Sequence, residues 1–324
     1  MQMENFSFAL NATIPVFLVI ALGFFLQRVH FLNEPFNRTA NEYVFRCALP
    51  VSLFRSIAGM DFYGEFDPGF CLFCFLGTTV MFLGIWAVSW GMMKDKGQVG
   101  AFAQASARSS AAVLGIALAA NIYGDSGMVP MMIMSAVPFF NVYSVLILSF
   151  SPQVDEDGHL LPASHGMEAV RKACVNVAKN PLILGIVSGL PFALLRIPIP
   201  TMVDSALSSI GGTATPIALL VIGASFSGSG AIRRWKGAVC SCFVKLFLLP
   251  AIFLPLAAMM GFRDSEMIAI LIMVGSPTTV ASFVMAKSMH ADDVLTSNAV
   301  LLSTLLSSMS ITLWLYLLRS FDLI

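Results

Sequence analysis

Ile268-Ala-Ile-Leu-Ile-Met-Val-Gly-Ser-Pro-Thr-Thr-Val-Ala-Ser-Phe-Val-Met-Ala286 is long and apolar enough to cross a bilayer, yet Gly275, Ser276 and Pro277 interrupt it half-way. A helix cannot pass Pro277 unchanged, because proline has no N–H to donate and its ring collides with the preceding turn. Backbone freed at that depth is tolerated only where it is buried in protein or lines an aqueous cavity. Broken helices of this kind build the midplane solute sites of secondary carriers. The stretch therefore predicts an all-α integral membrane protein with a solute site at the break.

Composition agrees. Of 324 residues, 57% are hydrophobic and 11% charged, against roughly 25% charged in soluble domains, and the mean hydropathy is +0.84. Eighteen basic residues balance eighteen acidic ones, which gives no electrostatic footprint for nucleic acid. Cys71-x-x-Cys74 has no second pair at zinc spacing and no histidine with it, so it reads as packing, with no metal site. The motifs H-E-x-x-H and G-x-x-x-x-G-K-[ST] are absent, and neither an enzyme, a bound cofactor nor an ATP-driven pump is expected. The flank Met1–Ser7 carries Glu4 and no basic residue, unlike the positive start of a secretory signal.

Apolar runs of about 20 residues predict ten spans, near 7–28, 36–57, 69–93, 100–123, 128–150, 180–197, 202–227, 237–260, 266–288 and 295–319. The organisation expected is a first five-helix repeat over 1–150, a polar loop with an amphipathic linker over 151–179, and a second repeat over 180–324. Five is odd, so the second repeat enters the membrane inverted. Pro15, Gly23 and Pro50 recur as Pro181, Gly189 and Pro216, each pair 166 residues apart. Arg28, Arg38, Lys94, Lys96, Arg171, Lys172, Lys179, Arg233, Arg234, Lys236 and Lys287 fall on one set of connections, which places that side in the cytoplasm, with both termini outside.

Inverted repeats put a binding site where spans four and nine cross. In span nine the candidates are Ser276, Pro277, Thr278, Thr279 and Ser282: the break at Ser276–Pro277 frees backbone groups, Thr278, Thr279 and Ser282 add hydroxyls, and the half-helix beginning near Thr278 points the positive end of its dipole at an anion. In span four, Arg108, Ser109, Ser110, Gly115 and Asn121 are the candidates. Arg108 either forks onto a carboxylate or reaches back to the headgroups, and any discontinuity rests on Gly115 and Ser109–Ser110. Lys245 in span eight has the same two readings, and Pro250 after it hints at an irregular helix. Glu42 and Arg46, four apart, neutralise each other. No Asp or Glu falls in the middle of a span, so a cycle driven by a buried titrating acid is not expected.

Lys179-Asn-Pro-Leu-Ile-Leu184, Pro216-Ile-Ala-Leu-Leu-Val-Ile-Gly-Ala-Ser-Phe226, Ser276-Pro277, Ala281-Ser-Phe-Val-Met-Ala286, Asp293 through Trp314 and Ala48-Leu-Pro50 resemble the auxin efflux carrier family. The resemblance implies a ten-helix carrier with discontinuous helices four and nine, as in sodium–proton antiporters and sodium–bile-acid symporters. It further implies that an organic anion, a mono- or dicarboxylate such as malonate, malate or an auxin-like acid, binds at the crossing. Ser110 and Ala117 stand where the family commonly has asparagine and proline. The partners expected are that anion, membrane lipid and a second copy in a homodimer, in a plasma membrane. A sodium-coupled symporter with freed carbonyls as cation ligands, and a sensor that binds without transport, are the alternatives.

Overall fold

The computed structural model describes residues 15, 18–59, 67–111, 119, 127–152, 171, 174–175, 178–224 and 228–324. Gly115, Ala117, Asn121 and most of the 151–179 linker lie outside them. All the regular structure among the described residues is helical: α1 Leu18–Arg28, α2 Glu34–Tyr43, α3 Leu49–Ala58, α4 Pro68–Met92, α5 Val99–Ala107, α6 Val129–Phe150, α7 Pro181–Leu194, α8 Thr201–Gly212, α9 Ala214–Ala224, α10 Gly228–Phe243, α11 Leu249–Met259, α12 Asp264–Gly275, α13 Val280–Ser288 and α14 Asp293–Ser320. Six of the continuous helical stretches they make are long and apolar enough to span a bilayer. The chain is an integral membrane protein.

Local chemistry sets the helix starts. Asp67 and Asn180 stand at N-caps directly before Pro68 and Pro181, accepting from the N–H groups of Phe70 (3.0 Å) and Leu182 (2.9 Å). Proline is suited to the first helical position because its missing donor would be unpaired there anyway. Asp292 caps α14 through the Leu295 N–H at 2.9 Å.

Two prolines act in mid-helix instead. Pro50 and Pro250 each follow a π-helical turn, Val44–Ala48 and Val244–Leu248, that joins α2 to α3 and α10 to α11. A proline at position i leaves the carbonyl at i−4 without its donor. For Pro250 that carbonyl belongs to Leu246, and the Trp314 indole N–H takes it at 2.9 Å. The irregularity expected beside Lys245 is this π turn, which holds Lys245 itself.

The helices bury two apolar clusters. One is built from α4, α5, α6, α11, α12 and the C-terminal half of α14, with Phe70, Phe82, Phe140 and Met273 at its centre. The other joins α1, α2, α7 and α9 to the first part of α5, to α13 and to the start of α14. Within the second group, backbones approach closely at glycines. A Cβ on Gly23 would lie 2.3 Å from the Leu220 carbonyl oxygen, and one on Gly189 would lie 2.8 Å from that of Phe54. The 166-residue offset that pairs Gly23 with Gly189 also pairs Phe54 with Leu220, so the two contacts exchange under it. Glu42 and Arg46 form their expected pair at 3.0 Å on an exposed face.

Candidate functional site

Both α5 and α12 stop inside the protein. α12 ends at Gly275; Ser276 is extended (ψ 158°), as is Thr279 (ψ 145°), and α13 resumes at Val280. α5 ends at Ala107, Arg108 turns extended (ψ 132°), and helix reappears at Ala111. The break in the stretch expected as span four is thus at Arg108–Ser110, without a proline.

The interruptions hold each other. The Ser110 N–H donates to the Pro277 carbonyl at 2.9 Å. The Ser109 hydroxyl donates to the Met273 carbonyl, and the Thr278 hydroxyl to the Ala105 carbonyl at 2.7 Å. Helix ends leave carbonyls and N–H groups without intrahelical partners, and in the membrane interior each unpaired group is costly. Every bond named here spends such a group of one break on the other. The Thr278 N–H is also taken, by the Ser303 hydroxyl of α14 at 3.0 Å. The start of the second half-helix therefore offers one donor fewer than the sequence suggests.

Lys245 and Arg108 are both enclosed, at 0% and 6% exposure, so neither reaches the headgroups. The Lys245 ammonium donates to the Ala107 carbonyl at 3.1 Å, to the Met273 carbonyl at 3.5 Å and to the Ser109 hydroxyl. Ala107 is the last residue of α5 and Met273 lies in the last turn of α12, so the cation sits between two helix C-termini. Each carries about −0.5 of a charge, and together they balance the ammonium.

Arg108 has no such balance. Its guanidinium donates to the Met285 thioether at 2.7 Å and to the Asn141 amide oxygen. Both are neutral, and no carboxylate among the described residues pairs with it. Burying a cation without an anion costs several kcal/mol, so this is the electropositive point of the crossing.

Of the residues expected at the site, the structure brings together Arg108, Ser109, Ser110, Lys245, Ser276, Pro277, Thr278, Thr279 and Ser282. Gln104, Asn141, Ser144, Ser303 and Met285 join them. Gln104 stands one turn before Arg108 and is the largest polar residue of α5, and that spacing was the signal available for it. Ser276 and Ser282 are buried with hydroxyls that have no partner among the described residues. Cys71 and Cys74 are buried away from the crossing.

A family model described as membrane transport protein matches residues 8–315, a range that takes in both breaks. The chain belongs to this family, the auxin efflux carriers. A protein of Methanothermobacter thermautotrophicus named as an uncharacterized transporter is 24% identical over 312 residues, covering 94% of this chain and 96% of its own. The uncharacterized transporter YfdV of Escherichia coli K12 is 22% identical over 324 residues, covering 97% and 98%. Both are similar along their whole length, so the crossing of this carrier lies within the shared region.

Proposed function

We propose that this chain is a secondary carrier for a small organic anion, bound at the crossing of α5 and α12–α13 with Arg108 as its charged anchor. One observation carries the reading: two buried cations lie at the crossing, and the protein balances only one of them. Lys245 is matched by two helix C-termini, whereas Arg108 faces only the neutral acceptors Asn141 and Met285. A planar fork in a desolvated site is suited to a carboxylate, which it can take bidentately. A mono- or dicarboxylate of a few carbons is the class we favour.

In this reading the chain forms ten spans in two inverted repeats, 1–150 and 180–324, joined by the 151–179 loop. The reciprocal contacts Gly23–Leu220 and Gly189–Phe54 support it. The Lys- and Arg-rich connections, cytoplasmic by the charge rule, then share an end with α2, α13 and the N-terminus of α14.

A sodium-coupled cycle would need carbonyls free to bind the ion. The Ala107 carbonyl is held by Lys245, that of Ala105 by Thr278 and that of Met273 by Ser109, which weighs against that alternative. The test is flux in sealed proteoliposomes loaded with labelled malonate, malate or an aromatic acid, with pH and sodium gradients imposed separately. Saturable movement that Arg108→Gln abolishes is expected. Absence of flux for every anion under both gradients would remove the proposal, and flux strictly tied to sodium would return the symporter reading.

A further inference from the structure

Three neighbouring helices each place two polar or sulfur-bearing residues one turn apart beside the anchor: Gln104 and Arg108, Asn141 and Ser144, Ser282 and Met285. Arg108 touches Asn141 and Met285, and the Gln104 amide nitrogen donates to the Ser282 carbonyl at 2.7 Å. All six are buried. Three of their polar atoms, Gln104 Oε1, Ser144 Oγ and Ser282 Oγ, have no partner among the described residues.

The orientation of Gln104 follows from its partner. The Ser282 carbonyl is only an acceptor, so the amide must present its nitrogen there, and a flipped side chain would set two oxygens against each other. Gln104 Oε1 is then an acceptor by necessity. Leaving it buried and unpaired costs about 1–3 kcal/mol, and the group that satisfies it must carry a hydrogen.

We infer that Gln104 reads a hydrogen-bond donor on the transported anion, so that the carrier prefers a hydroxy-carboxylate to the same acid lacking the hydroxyl. This rests on the anion reading above and refines it. Arg108, the C-cap of α5, donates its N–H to the Gln104 carbonyl at 2.9 Å, which keeps the two side chains one turn apart, about 5–6 Å between Cβ atoms. A hydroxyl on the carbon next to a carboxylate therefore lies within reach of both. A site built around such a hydroxyl discriminates strongly against an analogue without it, because the buried acceptor is then left unpaired.

The probes are malonate and its 2-hydroxy analogue tartronate, compared as competitors of uptake and as thermal stabilisers at mildly alkaline pH, where both are dianions. The wild-type carrier is expected to bind tartronate at least about tenfold more tightly. Gln104→Met, of similar shape without the acceptor, should bring the two acids within about twofold, read as the ratio of their affinities in the same folded variant. Equal affinities in the wild-type protein overturn the inference without any variant, and so does a preference that survives in a folded Gln104→Met carrier. Failure of both acids to bind the wild-type protein would instead overturn the anion reading, and this inference with it.

Discussion

Replacing Arg108 with glutamine separates the cost of burying the guanidinium from its use. In the empty carrier the group lies at 6% exposure with only an amide oxygen and a thioether before it. Its desolvation costs several kcal/mol. The Asn141 bond, made by a charged donor, returns about 1.5–3 kcal/mol, and the thioether is a weak acceptor. The balance is unfavourable by about 1–3 kcal/mol, so Arg108→Gln should stabilise the substrate-free protein and raise its Tm by a few degrees, given roughly 2–4 °C per kcal/mol in a large domain. With a carboxylate bound the sign reverses. Two charge-assisted bonds, about 3–6 kcal/mol together, are lost, which predicts a fall of about 10²–10⁴ in transport efficiency. The assay pairs thermal unfolding in detergent, with and without malonate, with initial uptake rates in proteoliposomes. A lower Tm for the empty variant together with near-normal uptake would refute the charge argument, because Arg108 would then be a structural residue whose cost is met inside the protein.

Pro277→Ala tests what keeps span nine open. The bonds from Ser110 to Pro277, Thr278 to Ala105 and Thr278 to Ser303 persist without the proline ring, so we expect a loss of about 0.4–1 kcal/mol from greater unfolded-state freedom and retained transport; a large change in helix content by circular dichroism would show that the ring, and not the crossing, makes the break. The Asn41 amide donates to the Ser288 hydroxyl at 3.0 Å, linking α2 to the end of α13. A cysteine pair at 41 and 288 should cross-link under oxidation and stop transport until reduced, whereas undiminished flux in the cross-linked carrier would show that these helices do not separate during the cycle. Asp95 resists ionisation through burial, but its bonds from Gln98, Arg234 and the Gly97 N–H outweigh this and leave its pKa below the ordinary carboxylate value. Its contribution is therefore complete above about pH 4 and lost as pH falls through the lowered folded value, so Asp95→Asn should lower Tm at neutral pH and lose that effect in acid, as melting curves across pH would reveal.

The two breaks were not equally legible. Pro277 announces the interruption of span nine because proline removes a donor wherever it stands, a local effect that needs no partner. In span four nothing between Arg108 and Ser110 forbids a helix, and the turn is imposed by bonds from residues more than 160 positions away, Met273 and Pro277. The sequence pointed to Ser109–Ser110 through their polarity and named Gly115 beside them, which lies outside the described residues. Arg108 and Lys245 were visible as charges in apolar runs, but not the difference between them. That difference depends on which helix ends surround each, a property of the packing. The helix starts at Pro68 and Pro181 were readable because cap and proline adjoin in sequence.

On the proposed anion reading, the position of that charge where α1–α3 and α7–α9 meet the remaining helices would tie binding to movement. Ala107 and Met273, which hold Lys245, belong to the cluster that contains no residue of α1–α3 or α7–α9. Ala105 and Met285 belong to the one that does. Lys245 thus fastens the ends of α5 and α12 to each other, and on that reading its bonds would stay in place through a transport cycle. Arg108 instead reaches across, from the end of α5 to Met285 on α13, where α2 and α9 pack. An anion that draws the guanidinium away from Met285 removes one polar contact from the side where the two groups of helices meet. Substrate binding can then bias their separation only if the guanidinium prefers carboxylate to thioether, and the relative strength of those acceptors makes that preference large.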